Sequence, residues 1–474
     1  MSTPSAQTNP AHLKSRNTLT MIVNNLRLGG LIFSKHTPNG PCTHLHPDAY
    51  EEYVASLWCS ERDTSYIVYT WENLLQRFPC PYLLLLVGDI YACGGQFTGA
   101  LALYRELQSC IGLGADQVFD AFLTDFQSRC LKREQKHIDM WALGTDKEEW
   151  RSWTPFTSAG GTGQPEEDSL RGRWSQLRLD NVQHSMPTSV VQRYFRLLCV
   201  DTNLLESVFS ICSQSGENLV RTGFFASAIS SFSLGSRMGD RREVIDVLRD
   251  THEALRMVYM VSGSRPIRID TPWLCQLHTL LLKSCHVSVS LTGELNQYIA
   301  PGVLRSSTKT NVAIRKKPRT LVQFCPFDQV AEQLKGILLH LERLLIDHAD
   351  KPFLIASWIH TEFIVCHPFE DGNGRVARLL ASIPLTMAGF PPLSVPAHMK
   401  EQYFEVLTEA RTRGALGSLA KFMTVCVQSS IDRAQALVPS NAEDEAIMDA
   451  VEFRLFPGDE FPTDAVTDVA PIDF

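Results

Sequence analysis

His367 and Asp371 stand four residues apart, just ahead of the turn Gly372-Asn373-Gly374, and Arg375 and Arg378 follow directly. Each residue type suits one task in phosphoryl or nucleotidyl transfer. His367 is the group in this run that can be a neutral base near pH 7. Asp371 offers a hard oxygen of the kind Mg²⁺ takes when it also bridges phosphates. The two glycines permit a tight turn whose backbone N–H groups converge on an anion, and a helix starting at Arg375 adds the positive end of its dipole. Arg375 and Arg378, three apart, share one helical face as two fork-shaped cationic clamps. A Gly-rich loop with a solvated arginine pair is the plain alternative, but it has no use for the base and the acid.

Positioning these groups falls to helices. Pro352–Cys366 carries Ile355, Ile359, Phe363 and Ile364 at helical spacing and delivers His367 at its end. His360 on this helix reads as a structural, hydrogen-bonded core histidine. Phe327–Asp347 precedes it with Leu338, Leu339, Leu341 and Leu345, and Leu379–Ala388 should follow as a buried helix that Pro384 kinks. Phe369 should anchor the loop in the core. Upstream, Val190–Ile211, Phe224–Phe232, Glu243–Tyr259 and Thr271–Cys285 all carry helical patterns. The turn Pro301-Gly302-Val303-Leu304-Arg305 leads to a short β-like patch at Asn311–Ile314.

Residues 1–46 read as an irregular arm, in which Cys42, His44 and His46 lack a fourth metal ligand at recognisable spacing. Residues 47–143 read as paired helices. Gly88, Tyr91, Gly95, Phe97, Ala100 and Tyr104 are spaced in a way that resembles one tetratricopeptide (TPR) repeat, with small residues letting two helices approach and aromatics filling the groove. Residues 144–187 contain Ser158–Asp168 and read as a flexible linker without the Lys-Ser/Thr of a P-loop. Residues 188–436 form the main domain, with a core at about 271–426, and 437–474 an acidic tail.

The formal net charge of −8 is concentrated in that tail: from Glu443 onward there are ten acids and one base. The body is near neutral, so nothing argues for nucleic acid. Thirteen cysteines without Cys-x-x-Cys spacing favour a reduced compartment. The first twenty residues lack a basic start followed by an apolar run, and the longest apolar run, Tyr82–Val87, is too short to span a bilayer. A cytoplasmic protein without membrane contact is expected.

The run His367–Arg378 resembles the signature of the Fic (Fic/Doc, or Fido) family, His-x-Phe-x-Asp/Glu-Gly-Asn-Gly-Arg-x-x-Arg, with every fixed position present. The resemblance covers roughly residues 200–426. It implies a mainly α fold, a Fic helical-bundle core with a short β-hairpin flap, here preceded by the TPR-like lobe. It also implies transfer of AMP from ATP to a Ser, Thr or Tyr hydroxyl of a target protein. His367 would be the base and Asp371 the Mg²⁺ ligand. Gly372, Asn373 and Gly374 would cradle phosphates, and Arg375 with Arg378 would clamp them. Val312–Lys316 takes the place of the flap, so Ile314, Arg315 and Lys316 would line the nucleotide and target groove, with Tyr403 near the nucleotide. Arg411 stands where chaperone-modifying relatives carry an adenine-side Asn, which leaves base selectivity open. Ser213-x-x-x-Glu217-Asn218 fits the family's inhibitory motif, in which Glu217 would pair with Arg378. The target would be a protein, a chaperone by resemblance, with auto-modification and a homodimer also open. Removal of AMP at the same site, transfer of UMP or phosphocholine, and a scaffold with an idle Fic fold are the competing readings.

Overall fold

The computed structural model describes residues 46–58, 64–112, 117–142, 147–157, 165–184, 190–233, 236, 238–264, 266–289, 295–315 and 321–437. The acidic tail, Cys42 and His44 lie outside these.

The centre of the molecule is the helix α13, Pro352–Cys366. Its composition is apolar on every side, and it is accordingly buried on every side, with Phe353, Trp358, Ile359 and Phe363 fully enclosed. Around it pack α7 (Val190–Leu205), α9 (Arg241–Gly263), α10 (Thr271–Leu282), α12 (Val330–Asp347), α14 (Asn373–Met387), α15 (Lys400–Arg413) and α16 (Leu416–Ala436). Asp240 and Asp270 start α9 and α10 by accepting the amides of Arg242 and Trp273 at 2.8 and 2.9 Å. α14 runs through Pro384, with Ala388 N–H still reaching the Pro384 carbonyl at 3.2 Å.

The N-terminal lobe comprises α1 (Pro47–Trp58), α2 (Thr64–Arg77), α3 (Pro81–Cys93), α4 (Phe97–Ile111) and α5 (Gln117–Ala142). α3 and α4 approach closely through glycine: a Cβ at Gly88 would stand 2.9 Å from the Tyr104 ring, and one at Gly99 3.0 Å from Tyr91. Tyr104 Oη then donates to the buried Asp89 at 2.8 Å. This lobe is docked on the main domain. Tyr298 N–H donates to the Gly94 carbonyl at 3.0 Å, Lys309 pairs with Glu134 at 2.8 Å, and Trp141 Nε1 donates to the Phe324 carbonyl at 3.1 Å.

The described strands are short. β2 (Val287–Val289) pairs antiparallel with β3 (Leu295–Tyr298). A second sheet has the order β1-β5-β4, from Lys147–Glu148, Leu321–Gln323 and Ala313–Arg315. β4 and β5 are the expected hairpin. β1 adds a third, parallel strand, with Lys147 opposite Leu321.

That third strand corrects the flexible linker expected at 144–187. Residues 147–157 are instead a strap pinned to the core. Arg151 forks onto the buried Glu362 at 2.8 and 2.9 Å, Trp358 Nε1 donates to the Thr154 carbonyl at 2.9 Å, and Phe156 N–H donates to His340 at 3.0 Å. Pro165–His184 forms a further helix, α6. The helix expected at Phe224–Phe232 is also absent: only a 3₁₀ turn, Ala226–Ala228, forms, and Phe232 bridges to Ile211 as extended backbone. The buried side chains there, Phe224, Ala228 and Ile229, share one cluster with Phe209, Ile211 and residues of α7 and α9.

Candidate active site

His367 terminates α13 in a left-handed conformation, φ 49°. Its ring stacks on Phe324 with centroids 3.9 Å apart. Enclosure, and next the Arg305 cation, push its pKa down to about 3, so the imidazole is neutral at pH 7. Arg305, the first residue of the short helix α11 (Arg305–Thr308), is itself completely buried. Its Nε donates to the His367 carbonyl at 2.6 Å, Nη2 to the carbonyls of Cys325 and Cys366 at 2.7 and 3.2 Å, and Nη1 to that of Thr310 at 3.0 Å. A cation there caps the open carbonyls at the end of a helix.

Beyond His367 the loop closes on itself. Phe369 is fully buried, as expected, and lies flat on the ring of His278, centroids 3.7 Å apart. Asn373 departs from its expected role: its side-chain amide is spent on Phe369, accepting the N–H at 3.0 Å and donating to the carbonyl at 2.8 Å. It therefore ties the loop and does not point into the cradle. Asp371 is exposed, and its Oδ1 accepts Gly372 N–H at 2.7 Å. The turn needs glycine at 372, where φ is 75°. α14 begins at Asn373, which leaves the first N–H groups of that helix without intrahelical acceptors.

Both signature arginines are 2% exposed, so they are fixed, not mobile, cations. Arg375 Nη1 turns inward to the Leu281 carbonyl and Asn203 Oδ1, both at 3.2 Å, and to Cys285 Sγ at 3.4 Å. Arg378 is held by Thr202, whose Oγ1 and carbonyl accept from Nε and Nη2 at 2.8 and 3.1 Å, and by Tyr403 Oη at 3.4 Å. Tyr403 in turn meets His360 Nε2 at 2.8 Å. Tyr403 is thus buried behind Arg378, and His360 has the core role expected of it.

The carboxylate on Arg378 is that of Glu206, at 2.8 Å, and not that of Glu217. Glu217 lies on α8, Ser213–Thr222, and pairs with Arg221 one turn on at 3.4 Å. Asn218 accepts from Gln214, also within α8. Ser213, Glu217 and Asn218 therefore do not form the contact that their spacing suggested. Thr202-Asn203-Leu204-Leu205-Glu206-Ser207 has the same Ser/Thr-x-x-x-Glu spacing. Its last residue is Ser where the pattern asks for Gly or Asn, yet Ser207 adopts the positive φ, 54°, that those residues favour. Glu206 also lies over the anion turn, since a Cβ on Gly374 would fall 2.1 Å from its Oε1.

On the flap, Ile314 is 51% exposed on β4, an edge strand of its sheet. Arg315 pairs through its backbone with Leu321, and Lys316 lies outside the described residues. Arg411 forms an ion pair with Glu148 of β1. The lobe reaches the signature itself through a hydrogen bond from Gln96 to Glu370.

The run His367–Arg378 thus carries an imidazole, an exposed carboxylate, a helix N-terminus and a fixed guanidinium that already pairs with a carboxylate. Residues 268–385 match the model of the Fic/DOC family. Protein adenylyltransferase Fic of Nematostella vectensis is 37% identical over 81 residues, 17% of this chain and 19% of its own. Protein adenylyltransferase fic-1 of Caenorhabditis elegans is 34% identical over 109 residues, 22% of this chain and 20% of its own. The chain thus spans about a fifth of the length of these curated relatives. A solved fragment of C. elegans Fic-1 aligns with a TM-score of 0.40 at 17% identity, covering 82% of this chain and 98% of that one.

Proposed function

We propose that the chain is a protein adenylyltransferase that moves AMP from ATP to a hydroxyl of a target protein and is held in check by Glu206. The observation that carries this is the Glu206 carboxylate on Arg378 at the N-terminus of α14. A carboxylate there supports an anion site at this place, and it takes the guanidinium that a terminal phosphate of ATP would use.

With Glu206 withdrawn, Arg378 and the first N–H groups of α14 take the phosphates. His367 accepts the proton of the attacking hydroxyl as its oxygen bonds to the α-phosphorus. The bond to the bridging oxygen breaks, and pyrophosphate leaves. Arg375 contributes fixed positive charge from beneath the turn. Most of the catalysis is therefore positioning and charge stabilisation.

The residues fit a single divalent cation: Asp371 is an exposed hard carboxylate, and no group of three His, Cys, Asp or Glu among the described residues offers an all-protein site. Mg²⁺ held by Asp371 would neutralise phosphate charge. The target is a protein that enters beside β4 and Ile314. A chaperone target, auto-modification and a homodimer belong to this reading as well. No helix of the described residues is long and apolar enough to cross a membrane, and the eleven described cysteines are free thiols, which supports a reducing compartment such as the cytoplasm.

The test is incubation of wild type and Glu206→Ala with labelled ATP and a cell lysate, read by mass spectrometry. AMP on protein hydroxyls, stronger with the variant, is expected. Labelling by neither protein would overturn the reading.

A further inference from the structure

His278, on α10, is completely buried beneath the signature loop. Nothing in the transfer reaction as derived above uses it, yet both ring nitrogens are spent on backbone groups of two distant turns. Nδ1 accepts Gly302 N–H at 2.8 Å. That bond fixes the tautomer: Nε2 carries the proton and donates it to the Asp371 carbonyl at 3.0 Å. The ring face lies on Phe369, and Gly372 packs on its edge, where a Cβ would stand 3.3 Å from Nε2. Gly302 has φ 73°, and a side chain there would strike Thr279 and the Cys275 carbonyl.

We propose that His278 is a positioning residue for AMP transfer: it holds the backbone of Asp371, and thereby the carboxylate that faces the phosphates and their metal, against the Gly302 turn. The same turn serves the other end of the loop. Arg305, three residues past Gly302, holds the His367 carbonyl, and its own N–H donates to the Pro368 carbonyl at 2.8 Å. Residues 302–305 thus set the distance between base and metal-side carboxylate, through His278 at one end and Arg305 at the other. An imidazole is suited to the task because it accepts on one side and donates on the other across a flat, stackable ring.

The inference rests on the transfer reading, and its test separates the two. His278→Phe keeps the stack on Phe369 and loses both hydrogen bonds. His278→Gln keeps a donor for the Asp371 carbonyl. Made in the Glu206→Ala background, the Phe variant should raise the Mg²⁺ concentration for half-maximal transfer about tenfold, with KM for ATP at saturating Mg²⁺ near that of the parent. The Gln variant should recover most of that loss. Calorimetric titration of Mg²⁺ with an ATP analogue bearing a methylene between the α- and β-phosphates should show the same order without any turnover. A merely structural role would lower the melting temperature and leave both metal titrations unmoved. A folded His278→Phe protein that titrates like its parent overturns the proposal. So does a ¹⁵N spectrum of the wild-type ring with the proton on Nδ1, a measurement that stands even where neither variant folds. Metal–nucleotide binding that depends on His278, in a protein that labels nothing, sinks the transfer reading and leaves His278 in its role.

Discussion

Glu206 and Arg378 meet at 2.8 Å, the guanidinium 2% exposed and the carboxylate 30%. The two halves of this pair differ in freedom. Arg378 is held by Thr202 and Tyr403 whether or not Glu206 is present. Glu206 sits just past the end of α7, at a turn with solvent on one side, and can leave. An anion of higher charge can therefore replace it without rebuilding the site.

Glu206→Ala should raise transfer about ten- to a hundredfold, the equivalent of an Arg–carboxylate bond of about 1.5–3 kcal/mol. Glu217→Ala should leave the rate where it was, because its partner is Arg221. Auto-labelling of the three proteins side by side measures both. Activation by the second substitution and not the first would reverse the assignment.

His367→Ala should lower transfer by about 10²–10⁴ while nucleotide still binds, since the anion contacts come from other residues. Rate and affinity are read separately, by single-turnover labelling and by calorimetry. Parent-like labelling would remove His367 from the role of base.

Acid should unfold this protein early. Burial pushes His252 and His286 down to about 4, and His278, His360 and His367 to about 3. A histidine of the unfolded chain titrates near pH 6.5. Between these values the unfolded state binds more protons, so stability is lost as pH falls below about 6.5 and goes on falling toward the folded values. Glu72 and Asp250, raised by burial to about 7 and about 6, work in the opposite direction and offset part of the loss. Melting temperatures from pH 7 to pH 5 test the balance, and a rise across that window would contradict it.

Arg151→Met should destabilise the protein by about 3 kcal/mol, because it strands the buried Glu362 carboxylate. Double replacement with Glu362→Gln should return most of that loss. Urea titration of the two variants decides, and additive losses would show that the pair is not the link.

The signature was legible because its tasks fix residue type and spacing together, and α13 and α14 were legible from their apolar runs. The Glu206–Arg378 pair was missed at Ser207. The pattern there encodes a left-handed backbone, which Gly and Asn adopt most readily, and Ser207 reaches it under tertiary constraint. Ser213–Asn218 has the preferred letters and a helical backbone. His278 was invisible for another reason. A histidine among Leu277, Leu281 and Leu282 reads as core, and its partners stand 24 and 93 residues away. The role of Asn373 inverted because amide side chains serve loop closure and anion binding equally well.

The strap carries a consequence for how the chain comes into being. Lys147 of β1 must wait for Leu321 of β5, and Trp141 for Phe324, 183 residues later. Contacts of such long range form late and slowly. On a ribosome the lobe emerges well before the strands that it will brace, and the sheet closes only once the flap has left the exit tunnel. A fragment cut at residue 268, where the family match begins, would lack β1, the Arg151 tether and Glu206. Its β5 would present a bare edge to other copies, the usual starting point for aggregation. The segment that matches the family, residues 268–385, is therefore not a separable cassette: its tether and its sheet partner are written upstream of it.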